Sequence, residues 1–256
     1  DTNKYFVVLI DALGNGISSS PSNASSGSAE IFPYITIKDM VHVQQRFLND
    51  FMGIKRAHAV VGLSMGAHQT YEWMMLYPHF ASKYVPIEGA PWRTIYDELV
   101  LKAWFRLLDM DLSTDENIDN IIEIIVAIDA LTSWTPGYVV REFSDEDFKH
   151  WFKKLRGSKD RRYLLDRKSQ TEALMNHDIR ENGSLTDNQI KTLKSLDILS
   201  ITFKSDLKVN PRPNLDLSNA IGFPVLNYEG DCGHMGPELD CYQTKISKAV
   251  DRFLDN

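Results

Sequence analysis

Five short runs of apolar and β-branched residues, separated by stretches of helical periodicity, constrain the fold of this chain most. They cover residues 5–10, 57–62, 83–87, 198–203 and 223–228. A continuous apolar run of this length is typical of a strand that is buried on both faces of a parallel sheet. Because helical patterns alternate with the runs, the sequence predicts an α/β fold with a doubly wound, mostly parallel sheet.

Three helices are predicted next to these runs. The first begins with a capping-box-like pattern from Thr36 to Asp39, the second runs from residue 64 to about residue 77, and the third covers 241–254. Pro78 ends the second helix because proline cannot continue one. We expect one apolar face of the first helix to pack on the sheet. That face contains Ile37, Met40, Val41, Phe47, Leu48 and Phe51.

The third and fourth runs are separated by about 110 residues, far more than an ordinary crossover between parallel strands needs. Amphipathic helical patterns occur in this segment near 95–109, 118–131, 145–155 and 169–177. We therefore expect a core made of 1–90 and 191–256, with 91–190 inserted as a helical lid. A helical subdomain that only stabilises the fold is the alternative.

The segment Gly62-Leu63-Ser64-Met65-Gly66 matches the pattern G-x-S-x-G, in which a serine lies on a sharp turn between a strand and a helix. The two glycines are expected because side chains do not fit beside such a turn. The following helix N-terminus favours developing negative charge. The segment follows an apolar run and opens a helix, which is typical of the α/β-hydrolase fold. Ser64 is the predicted nucleophile, with the backbone N–H of Met65 as one oxyanion donor.

A serine hydroxyl needs a base to remove its proton, and histidine usually fills that role. In this fold the nucleophile is followed along the chain by an acid and then by the histidine. His234 follows the last apolar run within a glycine-containing loop, and Asp206 comes directly after the run 198–203. We predict His234 as the base and Asp206 as the acid that orients it. Asp231 is the alternative acid, and the other histidines are interpreted as structural.

Charge and motif content exclude several classes of function. The formal net charge is −7 and the basic residues are scattered, so nucleic acid is not an expected partner. No apolar stretch is long enough to span a bilayer. Gly14-Asn15-Gly16 lacks the third glycine of a nucleotide-binding loop and is interpreted as a turn. Without a tight His/carboxylate metal spacing, we expect no metal or redox cofactor.

Two features of the sequence concern the surroundings of the protein. Cys232 and Cys241 are the only cysteines, compatible with two free thiols or one bridge, and we expect a cytoplasmic location. The Ser-rich loop 18–28 follows the first run and either lines the site or is solvated. A homodimer is compatible with the sequence.

The beginning of the chain also suggests an expectation about its extent. The sequence has no initiator methionine and opens almost within an apolar run. We expect a piece of a longer protein, with one sheet edge either unpaired or covered by a partner.

Several segments, dense before residue 90 and sparse across the insertion, share one family pattern. They are 11–23, 32–33, 36–41, 62–66, 72–73, 77–78, 171–178, 205–206 and 233–234. Together they resemble the homoserine O-acetyltransferase family. The resemblance implies a Ser-His-Asp triad and a helical lid over a tunnel to the serine. His177 and Asp178 then correspond to a segment of that family ending in His-Asp, to which we assign a structural role.

The sequence departs from this family at two points. In the acetyltransferases, an aspartate that holds the amino group of homoserine follows the catalytic histidine, whereas this chain has Met235. A thioether cannot pair with an ammonium. Family members also have strands before the one that opens this chain, and a loop there supplies part of the oxyanion hole.

Three hypotheses follow for the function of the protein, each with a small-molecule ligand. The first is hydrolysis of an acyl ester through an acyl-enzyme on Ser64. The second is transfer of the acyl group from an acyl-CoA thioester to an alcohol, which shares every step up to the acyl-enzyme. The third is a noncatalytic binding protein that keeps the fold.

Overall fold

The sheet of this computed structural model has five strands, and the structure describes residues 2–24, 32–157, 159–239 and 241–256. The strands are β1 (Ala57–Leu63), β2 (Ala81–Ile87), β3 (Asp197–Ile198), β4 (Ser200–Phe203) and β5 (Val225–Tyr228). Every described strand pair is parallel, in the order β1-β2-β4-β5, and β3 also pairs with β2. This arrangement confirms the parallel α/β sheet predicted from the apolar runs.

Ten α-helices surround the sheet in the described part of the chain. They are α1 (Ile37–Arg46), α2 (Met65–Leu76), α3 (Ile95–Leu108), α4 (Asp115–Ser133), α5 (Pro136–Glu142), α6 (Asp145–Arg156), α7 (Arg161–Met175), α8 (Asp187–Lys194), α9 (Arg212–Ile221) and α10 (Gln243–Asp255). None of these described helices combines the length and apolar composition that a bilayer crossing requires.

The helices α3 to α8 lie between β2 and β3, in the long segment predicted to be helical. Each begins after a side chain whose oxygen accepts a backbone N–H of the first turn, which satisfies donors that the helix itself leaves unpaired. These capping residues are Thr94, Thr114, Thr135, Ser144, Asp160 and Thr186. The segment also has its own apolar cluster, formed by α3, α4 and α7 around Trp104, Ile122 and Leu164.

Residues 5–10 do not form the buried strand that their composition predicts. They have no strand assignment, and the side chains of Phe6 and Leu9 are 81% and 91% exposed. Val8 and Ile10 do contact the main apolar cluster, and Tyr5 stacks on His58 of β1 with ring centroids 5.1 Å apart. A strand needs a neighbouring backbone to pair with, and no described strand pairs with this segment. The prediction was therefore wrong, and β1 has one strand neighbour, β2, in the described sheet.

The apolar face predicted for the first helix is only partly buried. Ile37, Met40, Val41 and Leu48 are buried, whereas Phe51 is exposed and stacks on Phe47, also at the surface. The backbone changes to a π-helical turn over Phe47–Phe51, in which the N–H of Met52 donates to the carbonyl of Phe47 over 3.1 Å. A π turn contains more residues than an α turn, so the helix face rotates away from the sheet.

The two glycines of the G-x-S-x-G segment differ in what surrounds them. A Cβ at Gly62 would overlap the backbone carbonyl of Gly66 and lie 2.5 Å from Thr70 Oγ1, whereas a Cβ at Gly66 would meet nothing within 4 Å beyond its chain neighbours and its own helix backbone. We expect Gly62→Ala to lower the free energy of unfolding by about 3 kcal/mol, the upper range for overpacking. Gly66→Ala should leave it unchanged or raise it by about 0.5 kcal/mol, because alanine favours a helix. Urea denaturation of both variants tests this difference, and equal losses would contradict it.

Candidate active site

Ser64 lies at the junction of β1 and α2, with a left-handed backbone (φ 51°) that is uncommon for a residue with a side chain. Its N–H donates to the carbonyl of Ile87 at the end of β2 over 2.9 Å. Its carbonyl accepts the N–H groups of Ala67 and His68. These bonds hold the strained turn in place, and such strain is typical of functional sites.

The structure brings Ser64, Asp206 and His234 together, although they are far apart in sequence. Nε2 of His234 lies 2.9 Å from Oγ of Ser64, and Nδ1 of His234 lies 2.8 Å from Oδ2 of Asp206. Both partners of the second contact are buried, at 5% and 6% exposure. A hydroxyl, an imidazole and a carboxylate connected in this order can activate the hydroxyl for nucleophilic attack.

Asp206 is positioned by the loop that follows β4. Its Oδ1 accepts the backbone N–H of Lys208 over 2.8 Å and of Val209 over 2.9 Å, which leaves Oδ2 for the imidazole. The N–H of Asp206 donates in turn to the carbonyl of Phe203 in β4. The carboxylate is therefore fixed on the same edge of the sheet as Ser64.

His234 lies in a short 3-10 turn, Gly233–Met235, after β5. Gly233 has φ 64°, its N–H donates to Oγ of Ser205 over 3.2 Å, and a Cβ there would lie 2.6 Å from the carbonyl of Ser133 in α4. A disulfide joins Cys232 and Cys241 on either side of the turn, so of the two states left open for the cysteines the structure has the bridge.

Asp231, the alternative acid, is directed elsewhere. Its carboxylate forms an ion pair with Arg141 of α5, and that guanidinium lowers the pKa of Asp231. His234 instead contacts Asp206. Asp231 thus connects the base loop to the helical insertion.

Met65, whose N–H is the predicted oxyanion donor, is the first residue of α2. In the described part of the chain, this N–H has no hydrogen-bond acceptor outside its own helix. It is therefore available to an oxygen atom beside Ser64, at a helix N-terminus that favours negative charge.

A cavity of about 170 Å³ opens beside Ser64 and His234. The insertion supplies much of its wall, including apolar Leu101 and Trp104 from α3 and Leu174 from α7. Its polar lining includes Arg93, Asp97, Gln170, Arg167 and Lys208. None of these polar and charged residues was expected from the sequence. They come from three segments, the start of α3, helix α7 and the loop after β4, and no motif in the sequence connects these segments.

Two buried titratable side chains lie near the triad: Glu88, which the sequence did not indicate, and His68, one of the histidines interpreted as structural. Burial, together with Asp206 and Glu238, raises the pKa of Glu88 to about 9, so this carboxyl is protonated at neutral pH. Burial and the neighbouring His177 lower the pKa of His68 to about 3, and its ring nitrogen Nδ1 lies 2.7 Å from the carbonyl of Ala90. The surroundings of the triad therefore contain a neutral carboxyl, Glu88, and an imidazole, His68, that stays neutral well below its usual range.

Two other sequence expectations concern residues around the site. His177 lies 3.3 Å from Glu72 through Nδ1 and 3.1 Å from the carbonyl of Ala90 through Nε2, whereas Asp178 pairs with Arg180. In the Ser-rich loop, the N–H of Ser22 donates to Asp166 of α7 over 2.9 Å. Residues 25–28 of that loop lie outside the described residues.

The chain is 42% identical to a probable esterase of Corynebacterium glutamicum over 113 residues, which is 43% of this chain and 32% of the esterase. It is 37% identical to a homoserine O-acetyltransferase of Methanohalobium evestigatum over 99 residues, which is 37% of this chain and 20% of that enzyme. The matched region thus spans a third or less of these relatives. The chain matches no protein-family model.

The fold has close counterparts among solved structures. An acetylester hydrolase from Corynebacterium glutamicum superposes with a TM-score of 0.81 and 24% sequence identity, covering 95% of this chain and 74% of that one. The chain is therefore an α/β-hydrolase-fold protein with sequence similarity to esterases and to homoserine O-acetyltransferases.

Proposed function

We propose that this protein is a serine hydrolase that cleaves small carboxylic esters. The observation that carries the proposal is the continuous set of contacts from Ser64 through His234 to Asp206, at 2.9 and 2.8 Å. The similarity to a probable esterase supports the same reaction class.

The geometry supports a two-step reaction. His234 takes the proton of Ser64 Oγ as that oxygen bonds to the ester carbonyl carbon, and the Met65 N–H stabilises the resulting oxyanion. The imidazolium then returns the proton to the leaving alcohol, which produces the acyl-enzyme. Water repeats the sequence on the acyl-enzyme, releasing the carboxylic acid and restoring Ser64. Asp206 holds the imidazole with Nδ1 protonated and stabilises its charged form.

We also propose that residues 91–190 act as the lid expected from the sequence. Helices α3 and α7 line the cavity, and the end of α4 contacts the loop that carries His234. A cover at this position excludes water from the charged intermediates.

Transfer of an acyl group to homoserine is the second candidate, favoured by the similarity to a homoserine O-acetyltransferase. The site offers little to hold an ammonium group. Met235 follows the base, and Glu238, the nearest carboxylate beyond it, is exposed and outside the cavity lining. Asp97 lines the cavity but already accepts hydrogen bonds from Thr94 and Asn210. An unpaired buried ammonium would cost on the order of several kcal/mol.

Parallel assays with short esters and with acetyl-CoA plus homoserine test this choice. We expect the purified protein to hydrolyse simple acetyl esters and to form no detectable O-acetylhomoserine. Covalent labelling by a fluorophosphonate probe separates an enzyme from a noncatalytic binding protein. Saturable acetylation of homoserine would contradict hydrolysis as the main activity.

The assembly and compartment stay predictions. A homodimer is testable by light scattering. The disulfide Cys232–Cys241 favours an oxidising compartment over the cytoplasmic location expected from cysteine content alone.

A further inference from the structure

The wall of the cavity beside Ser64 contains buried N–H donors without acceptors. Among the described residues, Nε of Arg93, Nε of Arg167 and Nε1 of Trp104 are buried and have no hydrogen-bond partner. All three residues line the cavity. A buried donor without an acceptor is costly, so this set points to a bound group that accepts hydrogen bonds.

The charges around the cavity are unevenly paired. Arg167 and Lys208 both donate to Oδ1 of Asp129, over 2.9 and 3.2 Å, so two cations share one carboxylate. Asp206 and Asp97 instead accept hydrogen bonds from the triad imidazole and from neutral groups. The guanidinium of Arg93 has no ion pair within the described ranges. Among the described residues, Arg93 therefore lines the cavity without an ion-pair partner, whereas Arg167 and Lys208 share Asp129.

The rest of the cavity limits what Arg93 can bind. The guanidinium of Arg167 stacks 4.4 Å above the ring of Trp104, which fixes its orientation, and apolar Leu101 and Leu174 form the neighbouring wall. A volume of about 170 Å³ suits a molecule with a short carbon chain. A planar guanidinium binds a carboxylate through two parallel hydrogen bonds.

Building on the proposed ester hydrolysis, we infer that the substrate is a short ester that carries a free carboxylate, bound by Arg93 in the cavity that Arg167 also lines. The carboxylate supplies acceptors for the unpaired N–H groups and a counter-ion for Arg93. The ester carbonyl then lies at Ser64, and the carbon chain between the ester and the carboxylate lies along the apolar wall. The carboxylate belongs either to the acyl part or to the alcohol part of the ester.

Matched substrates test the inference and distinguish the two sources. Ethyl hydrogen succinate carries the carboxylate on the acyl part, and ethyl 4-oxopentanoate replaces it with a methyl ketone of similar shape. The pair 3-acetoxypropanoate and 4-acetoxybutan-2-one makes the same comparison on the alcohol part. In at least one pair, we expect kcat/KM to favour the anionic member by about tenfold or more, typical of a site built for a polar group.

Variants then assign the preference to named side chains. Arg93→Gln should lower the ratio of kcat/KM between the anionic and neutral members by about tenfold, and Arg93→Lys should restore part of it. Arg106→Gln is the matched control, because Arg106 is an exposed arginine on α3 that does not line the cavity. Its ratio should equal that of the unmodified protein.

The outcomes separate this inference from the proposed function. Equal or better turnover of the neutral member in both pairs overturns the carboxylate inference and needs no variant. An equal loss on both members in Arg93→Gln overturns the assignment to Arg93 and indicates a structural role. No turnover of any ester contradicts ester hydrolysis itself.

Discussion

Ser64→Ala is expected to lower kcat for ester hydrolysis by about 10⁴-fold or more, because the variant has no atom that can form the acyl-enzyme. The change removes one partly buried hydroxyl, so the free energy of unfolding should stay within about 1 kcal/mol of the unmodified value. Ester turnover and urea denaturation, measured on the same preparation, separate loss of chemistry from loss of folding.

A second serine provides the control for this variant. Ser195 follows α8, and its exposed hydroxyl donates to the carbonyl of Thr192. Ser195→Ala should keep full activity and full labelling by a fluorophosphonate probe, whereas Ser64→Ala should lose both. Retention of more than a tenth of the activity in Ser64→Ala would show that another group is the nucleophile.

Asp206→Asn is expected to lower kcat/KM by about 10³-fold to 10⁴-fold at neutral pH. An amide in this position donates to Nδ1 of His234, which places the ring proton on Nε2. The base then cannot accept the proton of Ser64. The substitution keeps the size of the side chain and an oxygen for the N–H groups of Lys208 and Val209, so we expect the fold to persist.

Asp231→Asn is the matched control, because Asp231 is close to His234 in sequence but pairs with Arg141. We expect its kcat/KM to stay within about threefold of the unmodified value, since an exposed ion pair contributes about 0–1 kcal/mol. If Asp231→Asn lost as much activity as Asp206→Asn, the acid would have to be reassigned.

The positions of Ser64, Asp206 and His234 could be predicted because each lies in the segment that follows a strand: Ser64 directly after β1, Asp206 in the loop after β4 and His234 in the loop after β5. Parallel strands bring their carboxyl ends to one edge of the sheet, so residues at those ends come together whatever their separation in sequence. Chain order then distinguishes the acid from the base. Both kinds of information are local in the sequence: the apolar runs mark where β1, β4 and β5 end, and the site residues follow those ends.

That residues 5–10 do not pair as a strand could not be predicted in this way. The composition of the run reports how a strand would pack, but not whether another backbone is present to pair with it. The rotation of the helix face at Phe47–Phe51 has a similar origin, because apolar periodicity assumes a constant number of residues per turn.

The charged lining of the cavity could not be predicted from the sequence for a further reason. Arg93 precedes α3, Arg167 belongs to α7 and Lys208 follows β4. Their convergence depends on how the inserted helices pack against one another and over the sheet. Periodicity indicates which face of a helix is apolar, but it does not give the helix that covers that face.

The disulfide between Cys232 and Cys241 encloses the turn that carries His234 and ties it to the segment just before α10. A reductant that cleaves this bond removes one covalent restraint on the loop that contains His234. Buffers without and with dithiothreitol would then contain two forms of the protein, one with the loop of His234 held by the disulfide and one without that bond. The redox history of a preparation thus becomes an experimental variable that must be matched before any two kinetic measurements are compared.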